Sequence, residues 1–265
     1  MPSTPRTSFL LIDIGNTTAK LRLATPDALR GKTRRLPTAD LLAADGPAAL
    51  QKALAGWRYN YTRTLFSSVV PAASRTVLAA LPDATPLTSR LDTGVDLRGY
   101  PGRKTLGADR LANLAGALAR HGPPPLIVVD FGTAATFNVL DARGRFLGGT
   151  IAPGLASMTG YLPARAAQLP PIRLSGPLPT AIGRSTPAAM RAGALLGYRG
   201  LVQEILDRLR AELGDPSTRF IATGGDAAFL ASSLDLPFNI VDPNLTLHGL
   251  RVIAGRQIQG FREPK

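Results

Sequence analysis

The sequence DIGNT at Asp13–Thr17 directly follows the apolar run FLLI at Phe9–Ile12. The sequence DFGTA at Asp130–Ala134 follows a second apolar run, LIVV at Leu126–Val129. Each segment predicts a buried strand that ends at an Asp, a glycine that allows a tight turn, and then small hydroxyl or amide side chains. Another strand pattern follows each turn, and helical patterns come later in each half. The sequence therefore predicts an α/β fold in which one strand–turn–strand unit occurs twice.

Turns of this kind can hold phosphate groups through backbone N–H groups and hydroxyl donors. Two such turns, with an Asp in each for a metal ion, can hold a chain of phosphates. A single copy is weak evidence, because Asp-x-Gly-x-Thr also closes an ordinary β-turn. Two copies after matching strands favour the phosphate interpretation, so the first hypothesis is an ATP-handling enzyme.

The composition is that of a globular protein. The chain has 265 residues, 45% of them hydrophobic, which suits one large domain or two domains of ~130 residues. No apolar run reaches the ~18 residues that a membrane span needs, and Met1–Arg6 shows no separate signal-peptide hydrophobic region. We therefore expect no membrane association and a cytoplasmic location.

The side chains available for chemistry exclude several classes of site. The chain has no cysteine, which excludes disulfides, thiolate nucleophiles and Cys-ligated metals. The two histidines, His121 and His248, are too few for a multi-His metal site. With no Gly-x-Ser-x-Gly segment either, a Ser-His-Asp hydrolase is disfavoured.

A net charge of +13 and a pI near 11.1 raise the question of nucleic-acid binding. The basic residues are scattered, no run of five like charges occurs, and aromatic residues make up only 6% of the chain. Attraction of anionic substrates is the more ordinary consequence of such a charge. We therefore expect no specific nucleic-acid binding.

The order of patterns along the chain predicts two domains. A clear helical pattern covers 106–120, and the triple proline at Pro123–Pro125 ends it. The predicted domains are therefore 1–121 and 122–265, the second closing with a helix over 244–259. A weaker helix is predicted over 39–54, with an interruption near Gly46, and 163–187 is a loop or lid candidate because it holds six prolines.

Another apparent phosphate motif is rejected. Gly31–Thr33 reads like the end of a Walker A loop, but Pro26 stands where the first glycine of that motif belongs. No strand pattern leads into it, and Pro37 follows too soon for a helix. No Gly-x-Gly-x-x-Gly opens a helix either, so a dinucleotide site lacks support.

Eight stretches of the sequence form an ordered set. They are Asp13–Thr17 with Lys20, Ser67–Pro71, Gly107–Arg110 with Asn113, Asp130–Ala134, Gly148–Gly154, Ile182–Gly183 with Thr186, Thr223–Gly225, and Leu245 with Gly249–Leu250. Each stretch alone is weak evidence, but the ordered set is specific. Together the stretches resemble the motifs of the type III pantothenate kinases, the family that also contains proteins named Bvg accessory factor.

The resemblance implies the fold of the actin-like and sugar-kinase (ASKHA) superfamily, with two ribonuclease-H-like domains and ATP in the cleft between them. It implies ATP-dependent phosphorylation of pantothenate, the opening step of coenzyme A synthesis. It also implies a homodimer with the pantothenate site near the subunit interface. The cations implied are Mg²⁺ and a monovalent cation, K⁺ or NH₄⁺.

The resemblance implies roles for individual residues as well. Asp109 would be the general base that accepts the proton of pantothenate's primary hydroxyl. Asp13 would act on the phosphates through Mg²⁺, and Asp130 would bind the monovalent cation. The residues expected to contact ATP are Asp13, Ile14, Gly15, Asn16, Thr17, Thr18, Ala19, Lys20, Thr133, Gly224 and Gly225. The residues expected to contact pantothenate are Tyr100, Gly107, Ala108, Asp109, Arg110 and Thr186.

These residues also have ordinary structural roles that compete with the functional ones. An Asp in the first turn of a helix usually only stabilises that helix. Lys20 could be an exposed strand residue, and Gly224 and Gly225 could form a simple strand-to-helix turn. The resemblance favours the functional roles.

The chain departs from the family pattern at a few positions. Arg103 stands where a proline is usual, which affects the expected shape of the loop from Tyr100. Ala135 and Asn138 replace a Thr and an Asp that are common after the second phosphate turn, and the lost carboxylate bears on cation binding. Ser185 replaces a frequent Asn before Thr186.

Other functional classes stay open. A protein of the same fold could be a regulatory accessory factor that acts in transcription without kinase activity, and the high pI is compatible with this. Retention of Asp13, Asp130 and Asp109 argues against it. A sugar or acetate kinase would share the phosphate turns but would not explain Gly107–Arg110 together with Thr186.

Overall fold

The computed structural model describes residues 8–57 and 61–259. Met1–Arg6, the segment that bears on the signal-peptide expectation, lies outside the described residues. The strands are β1 (Phe9–Ile14), β2 (Thr18–Ala24), β3 (Leu29–Pro37), β4 (Arg63–Ser68), β5 (Thr85–Pro86), β6 (Leu126–Phe131), β7 (Ala134–Leu140), β8 (Phe146–Pro153), β9 (Arg219–Gly224) and β10 (Ile240–Val241). The helices are α1 (Thr38–Leu42), α2 (Gly46–Leu54), α3 (Pro71–Ala80), α4 (Ala108–Arg120), α5 (Ser157–Arg165), α6 (Thr186–Leu213), α7 (Ala227–Ser233) and α8 (Leu245–Gln259).

The strands form two sheets with the same internal order. The first sheet runs β3-β2-β1-β4-β5, and the second runs β8-β7-β6-β9-β10. In each sheet the first three strands of the unit are antiparallel neighbours, and the fourth pairs parallel with the first. The strand–turn–strand unit therefore occurs twice, as predicted, once in each of two α/β units.

Alternation along β1 divides the core of the first unit into two layers, because successive side chains on a strand point to opposite faces. Leu10, Ile12 and Ile14 belong to one buried cluster, together with residues of α1, α2 and α3. Phe9 and Leu11 belong to the other, together with residues of α4 and α8. The first sheet is therefore covered on both faces, which explains why every residue of β1 is buried.

The C-terminal helix groups with the first unit rather than with the second. One compact unit consists of the described residues up to Gly122 together with those from Asn244 onward, and the other is Pro123–Pro243. The division after Gly122 falls at the triple proline. The predicted second domain, 122–265, differs from this division at its C-terminal end, because α8 packs on α4.

Glycines make this helix pair possible. A Cβ atom at Gly249 of α8 would lie 1.7 Å from the backbone oxygen of Ala112 of α4. A Cβ atom at Gly116 would lie 2.5 Å from the backbone oxygen of Leu245. The two helices thus touch through their backbones, a contact that periodicity along either helix does not reveal.

The predicted helix over 39–54 has the expected interruption near Gly46. It consists of α1 and α2, and the chain turns so tightly at Gly46 that a Cβ there would lie 2.4 Å from the Leu41 oxygen. The segment that contains Gly31–Thr33 is strand β3, which the sequence patterns did not predict. Its place in a strand agrees with rejection of the Walker A motif.

None of the helices that the structure describes is both long enough and apolar enough to span a bilayer.

Candidate active site

The first predicted phosphate turn is a tight hairpin between β1 and β2. The backbone N–H of Gly15 donates to the Thr18 oxygen at 3.1 Å, and Asn16 and Thr17 are exposed at the tip. The side chains of Ile14 and Ala19 instead lie in the hydrophobic core. Any contact that those two residues make with ATP would therefore use their backbone.

Thr38 anchors this turn, and the sequence patterns gave no signal for it. Its backbone N–H donates to the Thr17 oxygen at 2.9 Å, and its hydroxyl donates to the Gly15 oxygen at 2.8 Å. Thr38 is fully buried at the start of α1. The turn is thus held in one shape from outside the hairpin, which is the preorganisation that a phosphate site needs.

Asp13 and Lys20 face each other across the two strands. They are register partners on β1 and β2, and Lys20 Nζ lies 3.6 Å from Asp13 Oδ2. Both side chains are largely shielded from solvent, with 12% of the Asp13 side chain and 18% of the Lys20 side chain exposed. Lys20 is therefore not the exposed strand residue that the ordinary interpretation expected.

The Gly107–Arg110 segment places Asp109 in the first turn of α4. Asp109 Oδ1 accepts a hydrogen bond from the backbone N–H of Arg110 at 2.8 Å. Burial raises the pKa of the Asp109 carboxyl above its ordinary value, although that hydrogen bond and the charge of Arg110 oppose the shift. A Cβ at Gly107 would lie 2.5 Å from Asp109 Oδ1, so the glycine makes room for the carboxylate.

The loop that carries the Arg103 departure forms a single 3-10 turn over Pro101–Lys104. The Tyr100 ring packs over this turn, since a Cβ at Gly102 would lie 3.0 Å from it. Arg103 and Lys104 are exposed and line a cavity of about 890 Å³ together with residues 88–98. Gly107–Arg110 are not among the lining residues.

The second predicted phosphate turn occupies the same place between β6 and β7 but is one residue shorter than the first. The backbone N–H of Gly132 donates to the Ala134 oxygen at 3.0 Å, and Thr133 is exposed at the tip. Gly154 packs directly on the turn and donates its N–H to the Thr133 oxygen at 3.1 Å. A Cβ at Gly154 would lie 2.2 Å from the Gly132 oxygen, so only glycine allows this contact.

Gly224 brings its turn against Asp130. It has a φ of +99°, and a Cβ there would lie 2.5 Å from Asp130 Oδ1 and 2.3 Å from the Phe131 oxygen. A Cβ at Gly225 would meet no atom of the described part of the chain within 4 Å. Glycine is therefore required at position 224 by the close packing of the turn. At Gly225 no such packing requires glycine, and its backbone is accessible to a ligand.

Two titratable residues near this turn were not predicted. Asp226 follows Gly225, and burial raises the pKa of its carboxyl. Burial, together with the charge of Asp226, raises the pKa of Tyr198 to about 12. Tyr198 lies in α6, and the sequence patterns carried no sign of its polar neighbour.

The departure at Asn138 has a structural explanation. Its side chain is fully buried on β7, and its amide nitrogen lies 3.4 Å from the Val128 oxygen and 3.5 Å from the Thr136 oxygen. A carboxylate could not donate to these carbonyl groups, so the amide suits the site.

Thr186 is exposed at the start of α6, where the Ser185 hydroxyl accepts from the Ala188 N–H at 3.3 Å.

The predicted residues are divided between the two units. The first unit contains the turn of Asp13–Lys20 and, on a separate element, the start of α4 with Asp109. In the second unit the structure brings Gly224 against Asp130, close to the turn at Thr133. Among the described residues, no group of three or more His, Asp or Glu side chains could hold a metal ion by itself.

Solved structures match the chain over nearly its whole length. A Campylobacter jejuni protein described as a Baf family transcriptional activator has a TM-score of 0.61 and 22% identity, covering 94% of this chain and 99% of that protein. A Clostridium difficile activator of 2-hydroxyisocaproyl-CoA dehydratase, solved with ADPNP, has a TM-score of 0.52 at 11% identity, covering 98% of each chain. These likenesses concern the fold alone, and they agree with the predicted α/β fold of two similar units.

Sequence comparison is more specific. The family model for type III pantothenate kinase matches residues 9–208. The type III pantothenate kinase of Akkermansia muciniphila is 43% identical over 251 residues, covering 94% of this chain and 98% of the relative. That of Rhodospirillum centenum is 39% identical, with the same coverage of both chains. The resemblance drawn from the motifs is confirmed, and the chain belongs to the type III pantothenate kinase family.

Proposed function

We propose that this protein transfers the γ-phosphate of ATP to the primary hydroxyl of pantothenate, the opening step of coenzyme A synthesis. The observation that carries the proposal is the Asp109 carboxylate at the start of α4, in a chain that belongs to this kinase family. Burial raises its pKa, and a more basic carboxylate is a better proton acceptor.

Asp109 and its neighbours in sequence would bind the acceptor. Arg110 offers a guanidinium that can hold the carboxylate of pantothenate through two parallel hydrogen bonds. Tyr100 would line the site, and the Thr186 hydroxyl would add a hydrogen bond. Gly107 and Ala108 would contact the substrate through the backbone.

The Asp13–Lys20 turn would bind the phosphates of ATP. Exposed Asn16 and Thr17 offer an amide and a hydroxyl at the tip, and Lys20 offers a cation next to Asp13. Mg²⁺ usually keeps several waters and binds one or two carboxylates plus substrate phosphates. A single partly shielded carboxylate at Asp13 fits that pattern, so Asp13 would act on the β- and γ-phosphates through Mg²⁺.

The surroundings of Asp130 fit a monovalent cation, which prefers oxygen ligands. Thr136, its register partner on β7, has a buried hydroxyl with no hydrogen-bond partner among the described residues. The missing Cβ of Gly224 lets the Asp130 carboxylate lie close against that turn. Asp130 would hold K⁺ or NH₄⁺ there, Thr133 would contact ATP, and Gly224 and Gly225 would let the backbone approach the nucleotide.

Two further properties belong to the proposal. We infer a homodimer, supported by exposed apolar side chains in the second unit, among them Ile151, Tyr161 and Ile182. We also infer a cytoplasmic enzyme, because pantothenate and ATP are metabolites of that compartment.

The test of the proposed function is a coupled assay of ADP release on purified protein, with and without pantothenate. We expect ADP release to depend on pantothenate and on Mg²⁺, and the product to be 4'-phosphopantothenate by mass. Pantothenate-independent ADP release, or phosphorylation of a sugar or acetate instead, would contradict the assignment.

The cation proposal predicts a dependence on salt identity. At equal ionic strength, activity should be high in potassium or ammonium and low in sodium alone. Asp130→Asn should lower the rate and weaken this dependence, because it removes the charge that holds the cation. Asp141→Asn, in the turn after β7, is the control and should keep both rate and salt response. Equal activity in all three salts would exclude a monovalent site.

The regulatory alternative is not favoured, since the relatives at 35–43% identity are named as kinases.

Because the net charge of the chain is +13, we expect it to bind DNA at low salt. This binding should be lost between ~50 and 200 mM salt through counterion release. Pantothenate phosphorylation should persist at the upper salt concentration. A DNA titration and a kinase assay on one preparation test this, and sequence-selective binding without phosphorylation would reverse the assignment.

A further inference from the structure

Ser67 lies beside Asp13 on the first sheet. β1 and β4 are parallel neighbours, and Asp13 and Ser67 are register partners near their carboxyl ends. Phe9 and Leu11 on β1, and Leu65 on β4, belong to the core layer under α4 and α8. Since side chains alternate along a strand, Asp13 and Ser67 both point to that face.

The Ser67 hydroxyl is buried and has no hydrogen-bond partner among the residues that the structure describes. The residue is 0% exposed, and its Oγ contacts no donor or acceptor in the part of the chain that the structure describes. Buried hydroxyl groups are nearly always paired, and an unpaired one calls for a specific reason. If packing were the only requirement, alanine would serve better here, because it loses no hydrogen bond on burial.

The next residue on β4 shows what an ordinary serine does in this segment. The Ser68 hydroxyl donates to the Val70 oxygen at 3.1 Å and accepts from the Val70 N–H at 3.1 Å. These bonds form a local turn before α3 and give the hydroxyl both a donor and an acceptor partner. Ser68 therefore has a structural role, whereas no contact within the described chain explains Ser67.

Asp13 is thus flanked on both neighbouring strands by polar side chains. Lys20 on β2 supplies a cation at 3.6 Å, and Ser67 on β4 supplies an unused hydroxyl. We propose that Ser67 is a positioning residue for Asp13, and that its hydroxyl joins the polar shell of that carboxylate when the magnesium nucleotide binds. The inference rests on the part of the proposed function that gives Asp13 the magnesium nucleotide.

The proposal predicts opposite effects of Ser67→Ala on binding and on stability. The affinity for a magnesium-bound, non-hydrolysable ATP analogue should fall by about 10-fold or more, the usual effect of losing a group that orients a metal-binding side chain. The melting temperature of the unliganded protein should stay the same or rise, because the variant removes an unpaired buried hydroxyl. Calorimetric titration over a range of Mg²⁺ concentrations and thermal unfolding measure the two effects.

Ser68→Ala is the matched control, and it should behave in the opposite way. It loses two local hydrogen bonds, so its melting temperature should fall by about 2–4 °C. Its affinity for the magnesium nucleotide should equal that of the unmodified protein. Melting temperature and nucleotide affinity thus distinguish the role of Ser67 from that of Ser68.

The outcomes distinguish this inference from the proposed function. Unchanged nucleotide affinity in Ser67→Ala, or failure of the unmodified protein to bind the magnesium nucleotide, would overturn the inference. A fall in melting temperature with unchanged affinity would show that the hydroxyl is structural. A protein that shows the expected Ser67 effect but does not phosphorylate pantothenate would leave the inference standing and overturn the substrate assignment.

Discussion

Asp109→Asn should lower kcat by ~10²–10⁴-fold, the range that a general base typically contributes. The amide has the same shape and can still accept the hydrogen bond from the Arg110 N–H, but it cannot take a proton from the acceptor hydroxyl. Nucleotide affinity should be largely kept, because Asp109 is not among the residues expected to contact ATP. Steady-state kinetics with pantothenate and calorimetric titration with the nucleotide give the two values.

The stability of Asp109→Asn should not fall, in contrast to its activity. Burial raises the pKa of Asp109 in the folded protein above its unfolded value. Asp109 therefore contributes to the folding stability at pH values below the pKa that its carboxyl has in the unfolded chain. This contribution is lost as the pH rises through the higher pKa of the folded protein. At neutral pH the ionised carboxylate is a cost to folding, so an uncharged amide leaves the melting temperature unchanged or raises it.

The same shift predicts the pH dependence of the unmodified enzyme. Activity needs the ionised carboxylate, so kcat/KM should fall on the acid side through a pKa above that of an ordinary Asp. Asp40→Asn is a suitable control, since Asp40 also lies in the first turn of a helix but is exposed. If Asp109→Asn retained near-normal kcat, as Asp40→Asn should, Asp109 would be an ordinary helix-start carboxylate.

Gly249→Ala should be among the most destabilising single substitutions in the first unit. The added Cβ would lie 1.7 Å from the Ala112 backbone oxygen, and a backbone atom cannot move aside as a side chain can. Helices α4 and α8 would have to separate, which also disturbs the bond from the Thr246 hydroxyl to buried Asn113, 2.8 Å long. We expect a loss of about 3 kcal/mol or more, at the upper end of overpacking effects. That corresponds to a fall in Tm of about 6–12 °C for a chain of this size.

Gly255→Ala on the same helix provides the control. A Cβ at Gly255 meets no atom of the described residues within 4 Å, so the substitution changes only the helix propensity of that position. It should leave stability unchanged or raise it by about 0.5–1 kcal/mol. Thermal or denaturant unfolding compares the two variants. Equal stabilities would show that the close backbone contact between α4 and α8 does not determine the stability of the first unit.

Local chemistry along the chain determined the strands that end at Asp13 and Asp130, the tight turns after them and the helix that begins before Asp109. Each depends on neighbours in sequence: an apolar run, a glycine, or a helical repeat of apolar residues. The ordered motifs then identified the family, because short segments in a fixed order carry more information than any of them alone.

Only the tertiary structure decided which distant groups meet. The grouping of α8 with the first unit depends on backbone contact at Gly249 and Gly116, and nothing in either helix's own periodicity encodes a partner. The anchoring of the first turn by Thr38 and the unpaired hydroxyl of Ser67 are likewise products of strand register. Burial, hydrogen-bond satisfaction and pKa are properties of a side chain's surroundings, and those surroundings are assembled from residues far apart in the sequence.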